Sequence, residues 1–422
     1  MSNYRLVFSG LLLLSGSLYA TPNFAREYSA DCTTCHTMVP VLNETGESFL
    51  RNGFRFSSGE RSTLQKLIDP QKDESRPIPL AVMLNANYDT DREDVQEKVK
   101  LYTGGTLNEN LSFFGMTKEN FDGNSDNQNF FERSSSRAYA QLNLKEAQHV
   151  VRVGLISPLT QFGNIQKASA DAGLKGHNSN SDGNGGNGAD QGAAYGRVDK
   201  YGPPTTTTTT TGGMSDSHGA DAMQGGSHYQ TPLQNVRVGT IKGAEYSYLA
   251  DNRWMVLVSY GESVEKGGGS DNGNSDGQNI SVNGDDDYQM MGGVRYLSEG
   301  GYRVGLIYNQ FEQNGVENFS ALLPIEKRFE KLHLTSTLVY KDSTTNEEPY
   351  YGWENALIYP LSESDYLRGV VDLDQQDGDS AYGLSLGYSK WYKFALFHLT
   401  GVRKSTPEED DNMLVGSVSL LF

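Results

Sequence analysis

Both cysteines of the 422-residue chain stand three positions apart, at Cys32 and Cys35, with His36 directly behind them. The order Cys32-Thr33-Thr34-Cys35-His36 is C-x-x-C-H, the attachment pattern of c-type haem. The spacing has a chemical reason. The two thiols become thioethers on one haem edge, and the next residue's imidazole then lies against the iron as the proximal axial ligand. A redox dithiol or a short-loop disulfide would need the thiols but not His36, and no thioredoxin-like βαβ pattern surrounds the site. Two cysteines make no disulfide framework, so the rest of the fold must stand on hydrogen bonding and packing.

The second axial donor is not local. Residues 37–78 contain no histidine and one methionine, Met38, which lies two residues beyond His36 and on the same side of the haem. The sixth position is therefore empty, filled by water or an unusual group, or supplied by the remaining chain. Three donors further on fall on the inward face of a strand pattern near the end where the haem segment is tethered: Met83, His333 and Met255. Met83 comes first because it is nearest in sequence, and each can equally be read as a lumen-filling side chain with no bond to iron. His149 shares a face with Val151, Val153 and Leu155 and is set aside.

The elements that must position these residues follow from patterning. Arg5, the apolar run Leu6 to Leu14 and Leu18-Tyr19-Ala20 read as a secretory signal peptide over residues 1–20. Its removal takes away Arg5 and leaves 34 basic against 53 acidic residues, a net charge of −19. An acidic exported chain argues against nucleic acid and suits cationic partners. Residues 21–78 form a small helical haem segment. A helix opening near Pro40, with Leu42, Phe49 and Leu50 on one face, ends before Gly53, and a second runs from Arg61 to Ile68. At this size a core alone is thin, and the haem would add apolar surface.

From residue 79 to 422 the period is two. Leu80, Val82 and Leu84 take one face against Ala81, Met83 and Asn85, and Trp254, Val256, Val258 and Tyr260 repeat the pattern. About sixteen such segments alternate short turns with longer loops rich in Gly, Asn, Ser and Asp, which is the arrangement of an antiparallel transmembrane β-barrel of the outer membrane. No apolar run after the leader approaches the roughly 18 residues of a spanning helix, and mean hydropathy is −0.56. Residues 157–233, with "HNSNSDGNGGNGADQG" and "PPTTTTTTTGG", are low-complexity sequence expected as one long extracellular loop. Phe422 closes the last alternating strand.

The stretch from 21 to 56 resembles the start of the fused outer-membrane monohaem cytochrome–porins. The shared residues are Pro22, Phe24, Ala25 and Arg26, then Cys32, Cys35 and His36, then Pro40, Leu42, Asn43, Gly46 and Phe49. His36 and Pro40 are one residue closer than in the iron-oxidising members, as in a separate branch. The resemblance implies a barrel carrying one covalent haem, with electrons taken from extracellular Fe(II).

Three functions compete. The first is an electron conduit from Fe(II), or another extracellular donor, to a periplasmic carrier such as a soluble cytochrome c. The haem segment would then be periplasmic and outer-membrane lipid would surround the barrel. The second is a diffusion porin with a structural or sensory haem. The third is a haem enzyme such as a peroxidase, which an open axial position would permit.

Overall fold

The computed structural model describes residues 23–38, 41–56, 60–69, 71, 79–89, 94–121, 137–162, 232–235, 240–263, 288–313, 316–329, 332–344, 349–362, 364–376, 379–392, 395–405 and 410–421. Sixteen antiparallel strands close on themselves. Strand β3 (Leu80–Asp89) pairs with β4 (Asp94–Thr106) and, across the seam, with β18 (Asp410–Leu421). Closure satisfies every strand's backbone partners without an edge, which a lipid interior demands. Among the described residues no helix is long and apolar enough to cross a membrane.

The inside–outside alternation follows the two-residue period. In β9 (Trp254–Ser263), Trp254, Val256, Val258 and Tyr260 are exposed on the outer face while Met255, Leu257 and Ser259 are buried inside. Leu80 is exposed and Ala81 buried, as the alternation in β3 requires. The apolar outer band suits lipid. Short turns gather at one end, and Asp251 and Asn252 hold positive φ between β8 (Ile241–Ala250) and β9, as a tight hairpin turn needs.

The amino-terminal segment lies inside this short-turn end. Helix α1 (Asn23–Tyr28) and helix α2 (Cys32–Cys35) precede a bridge between β1 (His36–Met38) and β2 (Val41–Leu42), followed by α3 (Glu44–Arg51) and α4 (Thr63–Ile68). The segment has little core of its own and borrows the barrel's inner wall. Phe49 and Phe54 pack with Tyr139, Ile156 and Ile241, while Phe24, Tyr28 and Phe56 close around them. Val41 inserts among Ala356, Ile358, Tyr366, Val370 and Val402. The wall thus contributes apolar surface that the small amino-terminal segment lacks.

Candidate functional site: the cysteine turn and its seat

Cys32 to Cys35 form one helical turn, which puts the i and i+3 side chains on one face. Neither sulfur is in a disulfide, and both residues are half-buried. His36 follows in extended backbone, its N–H donating to the Cys32 carbonyl. Burial pushes the Cys32 thiol up, and Asp31 beside it adds to the shift; burial and then Cys32 do the same to Cys35. Both groups are thus held as thiols rather than thiolates. Two unbonded thiols on one face with an imidazole next in the chain are a donor set that could hold a covalent haem.

Asn43 builds this turn. Its side-chain oxygen caps α3 by accepting the Gly46 N–H at 2.9 Å. Its amide nitrogen donates to the carbonyls of Thr33 (3.0 Å) and Thr34 (3.1 Å), and its backbone N–H donates to Cys35 O at 2.9 Å. Helix α3 therefore starts at Glu44 rather than near Pro40, because Asn43 is the better cap. Gly46, unfavourable in a helix by propensity, is required here: a Cβ would stand 2.0 Å from Cys35 O. The spacing Asn43-x-x-Gly46 is a device for packing α3 against the cysteine turn.

Charged contacts then hold α3 across the lumen. At its N-terminus Glu47 meets Arg303 of β11 (Tyr302–Gln313) at 2.7 Å and Arg328 of β12 (Val316–Arg328) at 2.6 Å. At its C-terminus the Arg51 guanidinium donates to Gln148 O at 3.0 Å and Ser247 Oγ at 3.3 Å. Acid at the start and base at the end also suit the helix dipole. Gln141 answers with donation to the carbonyls of Leu50 (3.2 Å) and Arg51 (3.0 Å). A third attachment is steric: Gly104 and Gly105 on β4 leave room for Phe24 and Thr63, where a Cβ would come within 2.9 and 2.8 Å.

The three distal donors sit on separate sectors of the wall. Met83 is on β3, where its sulfur accepts the Tyr102 hydroxyl at 3.6 Å. Met255 on β9 is buried among Phe162, Leu233, Leu257 and Met291. His333, buried at the start of β13 (His333–Ser343), has Nε2 2.8 Å from Glu326 Oε1. One iron cannot take all three. The hairpin carrying His36 rests on β14 (Tyr350–Pro360), the neighbour of β13, and Leu42 O accepts from Arg328, whose register partner is His333. Of the three, His333 lies on the sector that the hairpin touches. Sequence distance, which ranked Met83 first, takes no account of this docking.

The two described ends of the long low-complexity segment enter the lumen. A 3-10 turn at Pro158–Gln161 brings Phe162 onto Gly293 and Gly305, where a Cβ would lie 2.7 and 2.9 Å from its ring. Helix α5 (Pro232–Asn235) places Leu233 N–H against Glu354 Oε2 at 3.2 Å. Arg295 joins this segment to α3: it donates to Phe162 O at 2.8 Å and stands 4.0 Å from Glu47. The rest of the expected loop, 163–231, lies outside the described residues, as do His177, His218 and His228.

The Asn43 cap and the Glu47 seat escaped sequence reading. The available signal was charge at inward strand positions, Arg303 and Glu326, which a water-filled lumen tolerates without further cause.

No protein-family model and no curated protein matches the chain. Solved barrels do. OmpF of Salmonella typhi in complex with daunomycin aligns with a TM-score of 0.50 at 11% identity, over 81% of this chain and 97% of that one. The anion-selective porin from Comamonas acidovorans gives 0.49 at 14% identity, over 81% and 98%. A loop-deletion variant of OmpT, an outer membrane protein of Vibrio cholerae, gives 0.44 at 12%, over 81% and 97%. With its closed ring of sixteen antiparallel strands and apolar outer band, this chain has the fold of an outer-membrane porin.

Proposed function

We propose that the protein is an outer-membrane electron conduit, in which Cys32, Cys35 and His36 carry one covalent haem c at the periplasmic, short-turn end of the barrel. The observation that supports it is the seating of the C-x-x-C-H turn inside a closed barrel by Asn43, Glu47 and Arg51. When bound, the haem supplies a one-electron carrier. Everything else falls to the chain. Cys32 and Cys35 would hold the group, His36 would serve as its axial ligand, and the barrel would insulate the path from lipid. The mature chain's net charge of −19 draws cations such as Fe(II) toward the protein. The electron leaves to a periplasmic carrier such as a soluble cytochrome c.

The test is direct. Oxidised, haem-loaded protein mixed with Fe(II) under anoxia develops reduced haem bands, at a rate that falls as ionic strength rises. Failure of Fe(II) to reduce a haem that dithionite still reduces removes iron as the donor. A second reading is a diffusion porin with a structural or sensory haem, which the porin fold itself favours. Against it stands the lumen, occupied by the amino-terminal segment and by Phe162 and Leu233. Open-porin conductance in planar bilayers would favour this second reading.

A further inference from the structure

Among the described residues, α3, Arg295, Arg303 and Arg328 converge on Glu47. Arg328 Nη2 lies 2.6 Å from Glu47 Oε1 and donates to Leu42 O at 3.1 Å. Leu42 is the bridge partner of His36. One wall guanidinium therefore grips both the helix that supports the cysteine turn and the strand residue paired with His36. Arg303 Nη1 reaches Glu47 Oε1 at 2.7 Å. Both arginines also hold Glu326 Oε1, at 3.2 Å from Arg303 Nη1 and 2.8 Å from Arg328 Nε, and His333 Nε2 lies 2.8 Å from the same oxygen. Glu44 stands 3.9 Å from Arg303 but is largely exposed.

We propose that Arg303 and Arg328 are positioning residues of the haem site, fixing where His36 stands and placing positive charge beside the group it would bind. The proposal rests on the haem reading above. Its physical basis is twofold. Exposed ion pairs define little, but in a largely buried network the loss of one partner strands the other's charge, so the geometry is held tightly. Three guanidiniums also face two carboxylates, the half-buried Glu47 and the buried Glu326. Positive charge near a redox centre favours its reduced form.

The test separates charge from mere packing. In the haem-loaded protein, Arg328→Gln lowers the ferrous-to-ferric ratio at fixed poise, and Glu47→Gln raises it, each by about tenfold for the loss of one charge. Arg328→Lys keeps the charge and one donor and stays near the native ratio. Loosened docking alone would expose the group to water and shift both Gln variants in the same direction. A same-direction shift, or none, therefore overturns the proposal. If the native protein carries no covalent haem, the functional reading fails by itself. Docking is then decided on haem-free Cys32→Ala protein: Arg328→Gln must expose residues 23–69 to protease, and unchanged protection overturns it.

Discussion

Gly46 and Asn43 carry the most local information about the cysteine turn. Gly46→Ala sets a methyl against the Cys35 carbonyl, where a Cβ has only 2.0 Å. Overpacking of this kind costs about 1–3 kcal/mol, and here it pushes the cysteine turn off α3. The expected result is a barrel that still inserts but carries much less covalent haem, measured as acid-resistant haem per protein; full loading would refute the packing account. Thiol reactivity gives a second prediction. Burial raises both cysteine pKa values. A raised pKa means less thiolate at neutral pH, and the thiolate is the nucleophile. Haem-free protein should therefore be alkylated by iodoacetamide more slowly than a free cysteine peptide at pH 7.5, the gap closing as pH rises. Equal rates at neutral pH would contradict this. The chemistry of Cys32, Cys35 and His36 was legible from spacing alone. The reason for Asn43 and Gly46 was not, because both serve contacts between segments that only the folded turn brings together.

At the scale of elements, sequence alternation located all sixteen barrel strands, since a half-buried strand must alternate and a closed barrel leaves none out. The same local reasoning misplaced the start of α3. A proline suited to a helix's first turn stood close to an asparagine that caps better, and propensity could not choose between them. It also missed how the elements meet. A strand glycine such as Gly104 reads as a weak position until Phe24 is seen lying over it. Gly104→Val fills that seat, at a cost of about 1–3 kcal/mol, and should undock the amino-terminal segment while leaving the barrel folded. The check is protease release of a haem-bearing peptide from detergent-solubilised protein. Native-like protection in the variant would show that Phe24 does not anchor the segment.

At the scale of the whole molecule, a closed barrel carries a cysteine turn seated inside one of its ends. The barrel was legible because lipid imposes its period on the sequence. The docking was not, because Glu47, Arg303 and Arg328 are far apart in the chain and any one of them passes for a solvated charge. The measurement that tests the central claim most directly uses sealed vesicles enclosing oxidised cytochrome c, with the haem-loaded protein as the only component crossing the bilayer and Fe(II) added outside. Reduction of the enclosed cytochrome, dependent on the protein and absent with Cys32→Ala, is the predicted result. Enclosed cytochrome that stays oxidised while the barrel's own haem is reduced would contradict it.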